Sequence, residues 1–400
     1  MSERRGAALA LGLVLAAGLV NYIDRVTLSV AGPVIAAELR LRPGQMGLLY
    51  SAFLWTYGLA QIPVGATIDR LGARPLLGGA MVLWSAAQGA LGLAAGLPQL
   101  IAARLALGLG EAPQWPVGAK VVRAWFAPRA QGLATGVFNS ASTLGPALAP
   151  PLVTALMLAF GWRGAFFATA LAGLGMALVG LALYREPAAG PDAPTAPATP
   201  FRRLAASPVL WAMALGNVGS GYMNWFYAAW LPGYLESARH LSVPQTGWAG
   251  SIPYLFGFLG SLTGGVVCDR LAAAGFSPIG SRRAPVIAGL AIGGLFTGLA
   301  ILAPTSGGAI AAISAALFCS NLAGAAIWAL AITAAPPGGV AQVGATQNFG
   351  GFLGGALAPI VTGFTVEATH SFTAALATTA AAALGGALVY LLGVRRPIEV

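Results

Sequence analysis

The sequence predicts an all-α membrane protein of twelve transmembrane helices arranged as two six-helix halves. Three observations predict it: an apolar composition, twelve long apolar runs, and motifs that recur from the first half to the second. Hydrophobic residues make up 57% of the 400-residue chain and charged residues only 8%, against about 25% charged in soluble domains. A soluble core stops growing at about 250–300 residues, so this much apolar surface needs lipid around it.

A helix crosses the hydrocarbon layer with about 20 apolar residues. Runs of that kind lie at 7–34, 45–68, 75–97, 99–124, 130–157, 162–184, 208–236, 244–269, 284–303, 307–331, 338–366 and 371–394. They are too long and too uniformly apolar for the alternating segments of a β-barrel. The first run follows Arg4 and Arg5 in the manner of a signal peptide. It is too long for one, holds Asp24 and Arg25 in its interior and is followed by further spans, so it reads as retained. Between the sixth and seventh runs, REPAAGPDAPTAPATPFRR is rich in Pro and Ala and cannot pack a core. It divides the chain into an N-terminal six-helix bundle at 1–184, a linker at 185–207 and a C-terminal bundle at 208–400.

A formal charge of +10 would suggest nucleic acid in a soluble protein. Here the arginines sort by side instead. Arg4, Arg5, Arg70, Arg74, Arg123, Arg129, Arg185, Arg202, Arg203, Arg270, Arg282, Arg283, Arg395 and Arg396 fall at the termini and in the even-numbered loops, against Arg40, Arg42, Arg163 and Arg239 opposite. That is the positive-inside bias. It places both termini and the linker in the cytoplasm of a bacterial-type inner membrane, with the lipid bilayer rather than nucleic acid as partner. Cys268 and Cys319 lie in apolar runs, which argues against a disulfide, and no Cys/His cluster has metal-ligand spacing. No cofactor or metal is expected, and His240 and His370 read as solvated surface residues near run ends.

The third observation is the repeat. GATIDR at 65–70 returns as GVVCDR at 265–270, and GPALAP at 145–150 as GGALAP at 354–359. Parallel six-helix repeats with a solute bound near the midplane describe one large class of secondary transporters.

Over essentially its whole length the chain resembles the major facilitator superfamily. GATIDRLGARP (65–75) is similar to that superfamily's signature between helices 2 and 3, and GGVVCDR (264–270) to its echo. A carboxylate and basic residues at helix ends can form ion pairs that close in one conformation and break in another. Asp69, Arg70, Arg74, Asp269 and Arg270 are the gating candidates, with orientation by positive charge alone as the alternative. More narrowly, NYIDR (21–25), SAFLWTYGLAQIPVG (51–65), RLALGLGEAPQWP (104–116) and WRGAFFATA (162–170) resemble the anion:cation symporter family. That family includes bacterial carriers for galactonate, glucarate and hexuronates, and animal carriers for sialic acid and glutamate.

A charge at the bilayer centre costs about 2.5–3.5 kcal/mol even on forgiving scales. Asp24, Arg25, Arg104 and Glu111 lie within runs, all in the first half, whereas Lys120 is near a run end and can snorkel. Arg104 and Glu111 are two helical turns apart and share a face with Gly108 and Trp115; Arg25 is turned by about 100° from Asp24. Guanidinium pairs bidentately with carboxylate, and a carboxylic acid in a low-dielectric site takes up a proton more readily than one in water. The resemblance implies that Asp24 and Glu111 are proton-linked acids and that Arg25 and Arg104 serve the substrate or its gate. The alternative is a set of salt bridges that merely hold helices together.

Tyr22, Tyr57, Gln61, Ser142, Asn224, Trp328, Gln347 and Asn348 are candidates to complete a pocket, and each also reads as an interhelical hydrogen bond or an interfacial aromatic. Ser142 departs from the glutamine that sugar-acid members often carry there, and Phe352 stands at a place often polar. Both favour a substrate smaller and less hydroxylated than a hexonate. With no deep Arg or Lys in the second half, a monocarboxylate fits better than a dianion. The function expected is proton-coupled symport of a small organic anion by alternating access, in a monomer. Proton-antiport efflux of drugs or metabolites is the alternative, disfavoured by the two arginines. A membrane sensor would need a signalling domain, and an enzyme would need a nucleophile–base pair or a metal set; neither is read from the sequence.

Overall fold

The computed structural model describes residues 3–185 and 199–399, without the side chains of 3, 4, 62, 65–70, 128, 129 and 132. Most of the linker expected at 185–207 therefore lies outside the described residues, as do the side chains of Asp69 and Arg70. Every regular element among the described residues is a helix. In chain order they are α1 (Glu3–Glu38), α2 (Pro43–Leu71), α3 (Ala73–Leu93), α4 (Leu97–Glu111), α5 (Gln114–Trp125), α6 (Pro128–Asn139) and α7 (Ala141–Leu183). Then follow α8 (Phe201–Ala205), α9 (Pro208–Ser237), α10 (Val243–Ala273), α11 (Pro278–Leu302), α12 (Ser306–Ala334), α13 (Val340–Thr369) and α14 (Phe372–Gly393).

Fourteen helices make twelve crossings because proline and glycine redraw the boundaries. The fourth crossing is read from sequence as one run, but α4 and α5 are separated at Ala112–Pro113. Pro113 and Pro116 have no N–H to give the ladder, and bonding resumes where Val117 N–H donates to the Pro113 carbonyl at 2.9 Å. The fifth crossing is α6 with the first part of α7, interrupted at Ser140. The fifth and sixth then run together through Gly161, whose φ of 71° suits only a residue without a β-carbon. Helix α8 is a short turn ahead of the seventh crossing. Leucines such as Leu59, Leu93, Leu133, Leu171 and Leu302 stand exposed, a surface that suits lipid contact and is rare on soluble monomers.

The described residues form two compact units: 3–185 with Leu241–Ser251, and 199–240 with 252–399. The segment 241–251 thus groups with the first unit, across the boundary drawn from sequence. In unit 1, α7 packs on α1 and α3, and α2 on α4; in unit 2, α9 packs on α13 and α14, and α11 on α12 and α14. Small residues set the crossings: a β-carbon on Gly108 would strike the Phe53 carbonyl of α2, and one on Gly354 the Val218 carbonyl of α9. The unit 2 core gathers Leu210, Met213, Val286, Leu290 and Leu330 around Tyr390. Its buried hydroxyl donates to the Met213 carbonyl at 3.1 Å.

The repeat extends beyond the two motifs visible in sequence. After α1 and α9 the chain turns through left-handed residues at Arg40 (φ 51°) and His240 (φ 55°). Gln45 then accepts from the Arg42 N–H at 2.9 Å, and Gln245 accepts from the Ser242 N–H at 3.0 Å. The spacing that carries Gly145–Pro150 onto Gly354–Pro359 also carries Gly161 onto His370 (φ 51°), which ends α13.

Candidate functional site

In unit 1 the charged residues of α1 and α4 meet in the interior. Arg25 donates through Nε to Glu111 Oε2 at 2.6 Å, and both side chains are almost fully buried. Losing one partner of such a pair costs about 3–5 kcal/mol, because the other is left charged and unpaired. The guanidinium of Arg25 also lies against the rings of Tyr22, Phe53 and Tyr57, at 4.9, 4.8 and 4.6 Å. Cation–π contact of this kind strengthens as water is excluded. Phe53 and Tyr57 stack at 5.3 Å, Tyr22 sets its edge to Trp115, and Gln61 lies beside the Tyr57 hydroxyl.

Arg104 enters one turn ahead of Gly108, so the close approach of α4 to α2 sets its guanidinium over Phe53, 5.4 Å from the ring centre. It is 4% exposed, yet its Nε and Nη1 have no hydrogen-bond partner among the described residues. Asp24 is fully buried, and neither carboxyl oxygen has a partner either. Asp24, Arg104 and Glu111 interact electrostatically. Glu111 Oε1 is likewise unbonded, with Asn21 beside the carboxyl group. The result is one closed pair, Arg25–Glu111, next to a buried acid and a buried guanidinium with spare donors. The shared face of Arg104 and Glu111 is present, but the ion pair crosses between helices to Arg25.

Unit 2 has a cleft of about 170 Å³ lined by Asn217, Ser220, Asn224, Trp225, Trp328, Gln347, Asn348 and Phe352 among others. None of its lining residues is charged. Asn224 donates to Ser320 Oγ at 2.9 Å and to the Ser220 carbonyl at 3.0 Å, and accepts from Asn321 at 3.4 Å. Gln347 donates to the Ile327 carbonyl at 3.0 Å and keeps Oε1 unbonded, while Asn217 holds the Gln347 carbonyl at 2.9 Å. Trp328, half exposed, offers a flat wall. Asn217, Ser320, Asn321 and Phe53 were not singled out from sequence; neutral amides, hydroxyls and a lone ring carry no charge penalty to betray them. Ser142 turns its hydroxyl to the Asn139 carbonyl of the preceding turn at 2.8 Å.

At the helix ends, Arg74 gives its guanidinium to the Leu181 carbonyl at the end of α7. Asp269 is exposed and accepts from Arg282 at 3.3 Å, and Arg270 is exposed beside it.

The chain matches the Major Facilitator Superfamily over residues 14–359. The chain belongs to the major facilitator superfamily. This transporter is 40% identical to a protein of Escherichia coli (strain K12) described as a probable L-galactonate transporter, over 97% of this chain and 89% of that one. It is 31% identical to the hexuronate transporter of Bacillus subtilis (strain 168), over 90% and 88%. These relatives are sugar-acid carriers of the anion:cation symporter type, as the motifs in α1, α2, α4 and α7 implied. In fold it is similar to a bacterial homologue of the human lysosomal transporter Spinster, with a TM-score of 0.81 at 20% identity over 97% and 94% of the two chains. It is a multi-pass membrane transporter and not an enzyme.

Proposed function

We propose that this transporter carries a hydroxylated monocarboxylate of the aldonate type together with protons, by alternating access. The observation that carries the reading is Arg104, a buried guanidinium with two unbonded nitrogens beside the Arg25–Glu111 pair. A carboxylate is the ligand that a rigid guanidinium fork takes most selectively. Its arrival would compete with Glu111 and Asp24 for the arginines, and that competition is the least a proton-linked carrier needs.

Unit 2 by itself makes a different demand on a ligand. The unit 2 cleft offers amide and hydroxyl groups with an indole wall and no charge, which suits hydroxyl groups and not a second carboxylate. The relative named for L-galactonate, a monocarboxylate with several hydroxyls, fits both halves of this description. Ser142 gives its hydroxyl proton to its own helix, so the groups that would meet the solute's hydroxyls are those of the unit 2 cleft. The orientation that follows from the arginine bias puts both termini and the linker in the cytoplasm; a cysteine at Ala198 should label only from that side.

The deciding assay is uptake into proteoliposomes with and without an imposed acid-outside gradient. L-Galactonate should accumulate against its gradient only when protons drive it, with galactarate and short unsubstituted acids poorer. Equal uptake with no gradient, or a preference for cationic drugs, would overturn the reading.

A further inference from the structure

Four amide side chains stand in or behind the wall of the unit 2 cleft, and each turns its nitrogen onto a backbone carbonyl. Asn217 Nδ2 donates to the Gln347 carbonyl at 2.9 Å and Gln347 Nε2 to the Ile327 carbonyl at 3.0 Å. Asn224 Nδ2 donates to the Ser220 carbonyl at 3.0 Å and Asn321 Nδ2 to the Leu317 carbonyl at 2.9 Å. A carbonyl oxygen can only accept, so the direction of each amide is fixed. At Asn224 the other amide hydrogen is spent as well, on Ser320 Oγ at 2.9 Å. Its Oδ1 accepts from Asn321 at 3.4 Å, and an amide oxygen has two lone pairs. One lone pair remains. Asn224 lines the cleft, so what it offers there is an acceptor. Gln347 Oε1, buried and without a partner among the described residues, is a second oxygen of the same polarity.

We infer that Ser320 and Asn321 are positioning residues for solute selection: they lock Asn224 as a hydrogen-bond acceptor, so that the cleft takes a solute hydroxyl by its proton. This rests on the reading of the solute as a hydroxylated acid and adds the direction in which the hydrogen bond runs. A ketone, an ether or a carboxylate at the same place would set oxygen against oxygen. A site built to bond a hydroxyl rejects an analogue lacking it far more strongly than an apolar pocket does. The lock is held from behind. Ser320 is fully buried, and α10 closes on α12 through glycines. A β-carbon on Gly257 would come to 2.9 Å from Asn321 Nδ2, and one on Gly260 would strike the Phe318 carbonyl. Asn321 therefore has no room to swing away from Asn224 toward α10.

The test is competition against labelled L-galactonate on the purified full chain, using its deoxy and monofluoro analogues at each hydroxyl in turn. Fluorine matches a hydroxyl in size but cannot donate. Asn224→Leu, with Asn224→Ala in reserve should it not fold, picks out the position served by Asn224 as the one where hydroxyl and deoxy become equal. At that position the wild-type protein should bind the deoxy and fluoro analogues about tenfold more weakly than L-galactonate, the worth of one hydrogen bond, and within about twofold of each other. Ser320→Ala frees an amide hydrogen of Asn224, and the fluoro analogue should then gain about threefold over the deoxy one. Ser320→Cys, closer in size and a weak acceptor, substitutes if that variant does not fold, and Ser320→Thr should restore the wild-type pattern. A fluoro analogue that binds wild type as well as L-galactonate does, or an Asn224 variant that levels no position, overturns the acceptor assignment. An unchanged pattern in a folded Ser320→Ala or Ser320→Cys protein overturns the lock. If L-galactonate itself does not bind, the underlying reading of the solute fails, and the inference fails with it.

Discussion

In unit 1, α1 turns Arg25 onto Glu111 of α4; in unit 2, α9 turns Asn224 onto Ser320 of α12. Glu111 and Ser320 are matching places in the repeat, and Asn224 matches Asp24, the residue before Arg25. The register that carries Gln45 onto Gln245 carries Tyr22 onto Tyr222, Asp24 onto Asn224 and Arg25 onto Trp225. The spacing that carries Gly161 onto His370 carries Glu111 onto Ser320. One scaffold therefore holds an ion pair with a spare acid in one unit, and an amide–hydroxyl pair with an indole in the other. A neutral pair is far cheaper to bury than an ionic one, so nothing in the packing requires charge at this position. On the proposed function, the charges of unit 1 serve the ligand and the coupled protons.

The sharpest way to break this comparison is Glu111→Gln. It keeps the shape, removes the titratable group and makes unit 1 resemble unit 2. Accumulation driven by a pH gradient should be abolished, while exchange of labelled for unlabelled solute persists at least in part; proteoliposome uptake and counterflow separate the two. Accumulation that survives would mean that the charge difference between the units is not the coupling device. Arg104→Lys comes next. An ammonium keeps the charge but loses the planar fork, and uptake at low solute concentration should fall by about 10- to 100-fold, a loss of roughly 1.4–2.8 kcal/mol.

Unit 2 should respond differently. Asn348→Leu removes one uncharged lining group of the cleft, and its effect should be confined to affinity. A rise in KM of about tenfold or less is expected, the worth of one hydrogen bond, with the pH dependence of uptake unaltered. A shift in that pH dependence would erase the division of labour. Ser142→Ala should matter least, below about twofold, because its hydroxyl serves the Asn139 carbonyl. A large loss there would restore Ser142 as a substrate contact.

The membrane fold is legible in the sequence because lipid imposes one rule on the whole chain: about 20 apolar residues per crossing and internal bonding of every backbone group. Asp24, Arg25, Arg104 and Glu111 stand out for the same reason, since a charge in such a run is costly wherever its helix packs. The half-repeat is legible only where identity survives, as in GATIDR and GVVCDR. The paired glutamine caps at Gln45 and Gln245, and the left-handed turns at Arg40 and His240, share a geometry that residue types do not announce.

What the sequence by itself determined is the solvent, the helices, the family motifs and which side chains are expensive. Only the tertiary structure decided who meets whom. Helical register puts Arg104 and Glu111 on one face, but register says nothing about the helix opposite. It is the approach of α4 to α2 at Gly108, with α1 alongside, that gives Glu111 to Arg25 and leaves Arg104 with unbonded nitrogens over Phe53. The neutral partners Ser320 and Asn321 came from packing alone, because an amide or hydroxyl in an apolar run has no distinguishing cost until its neighbours are known.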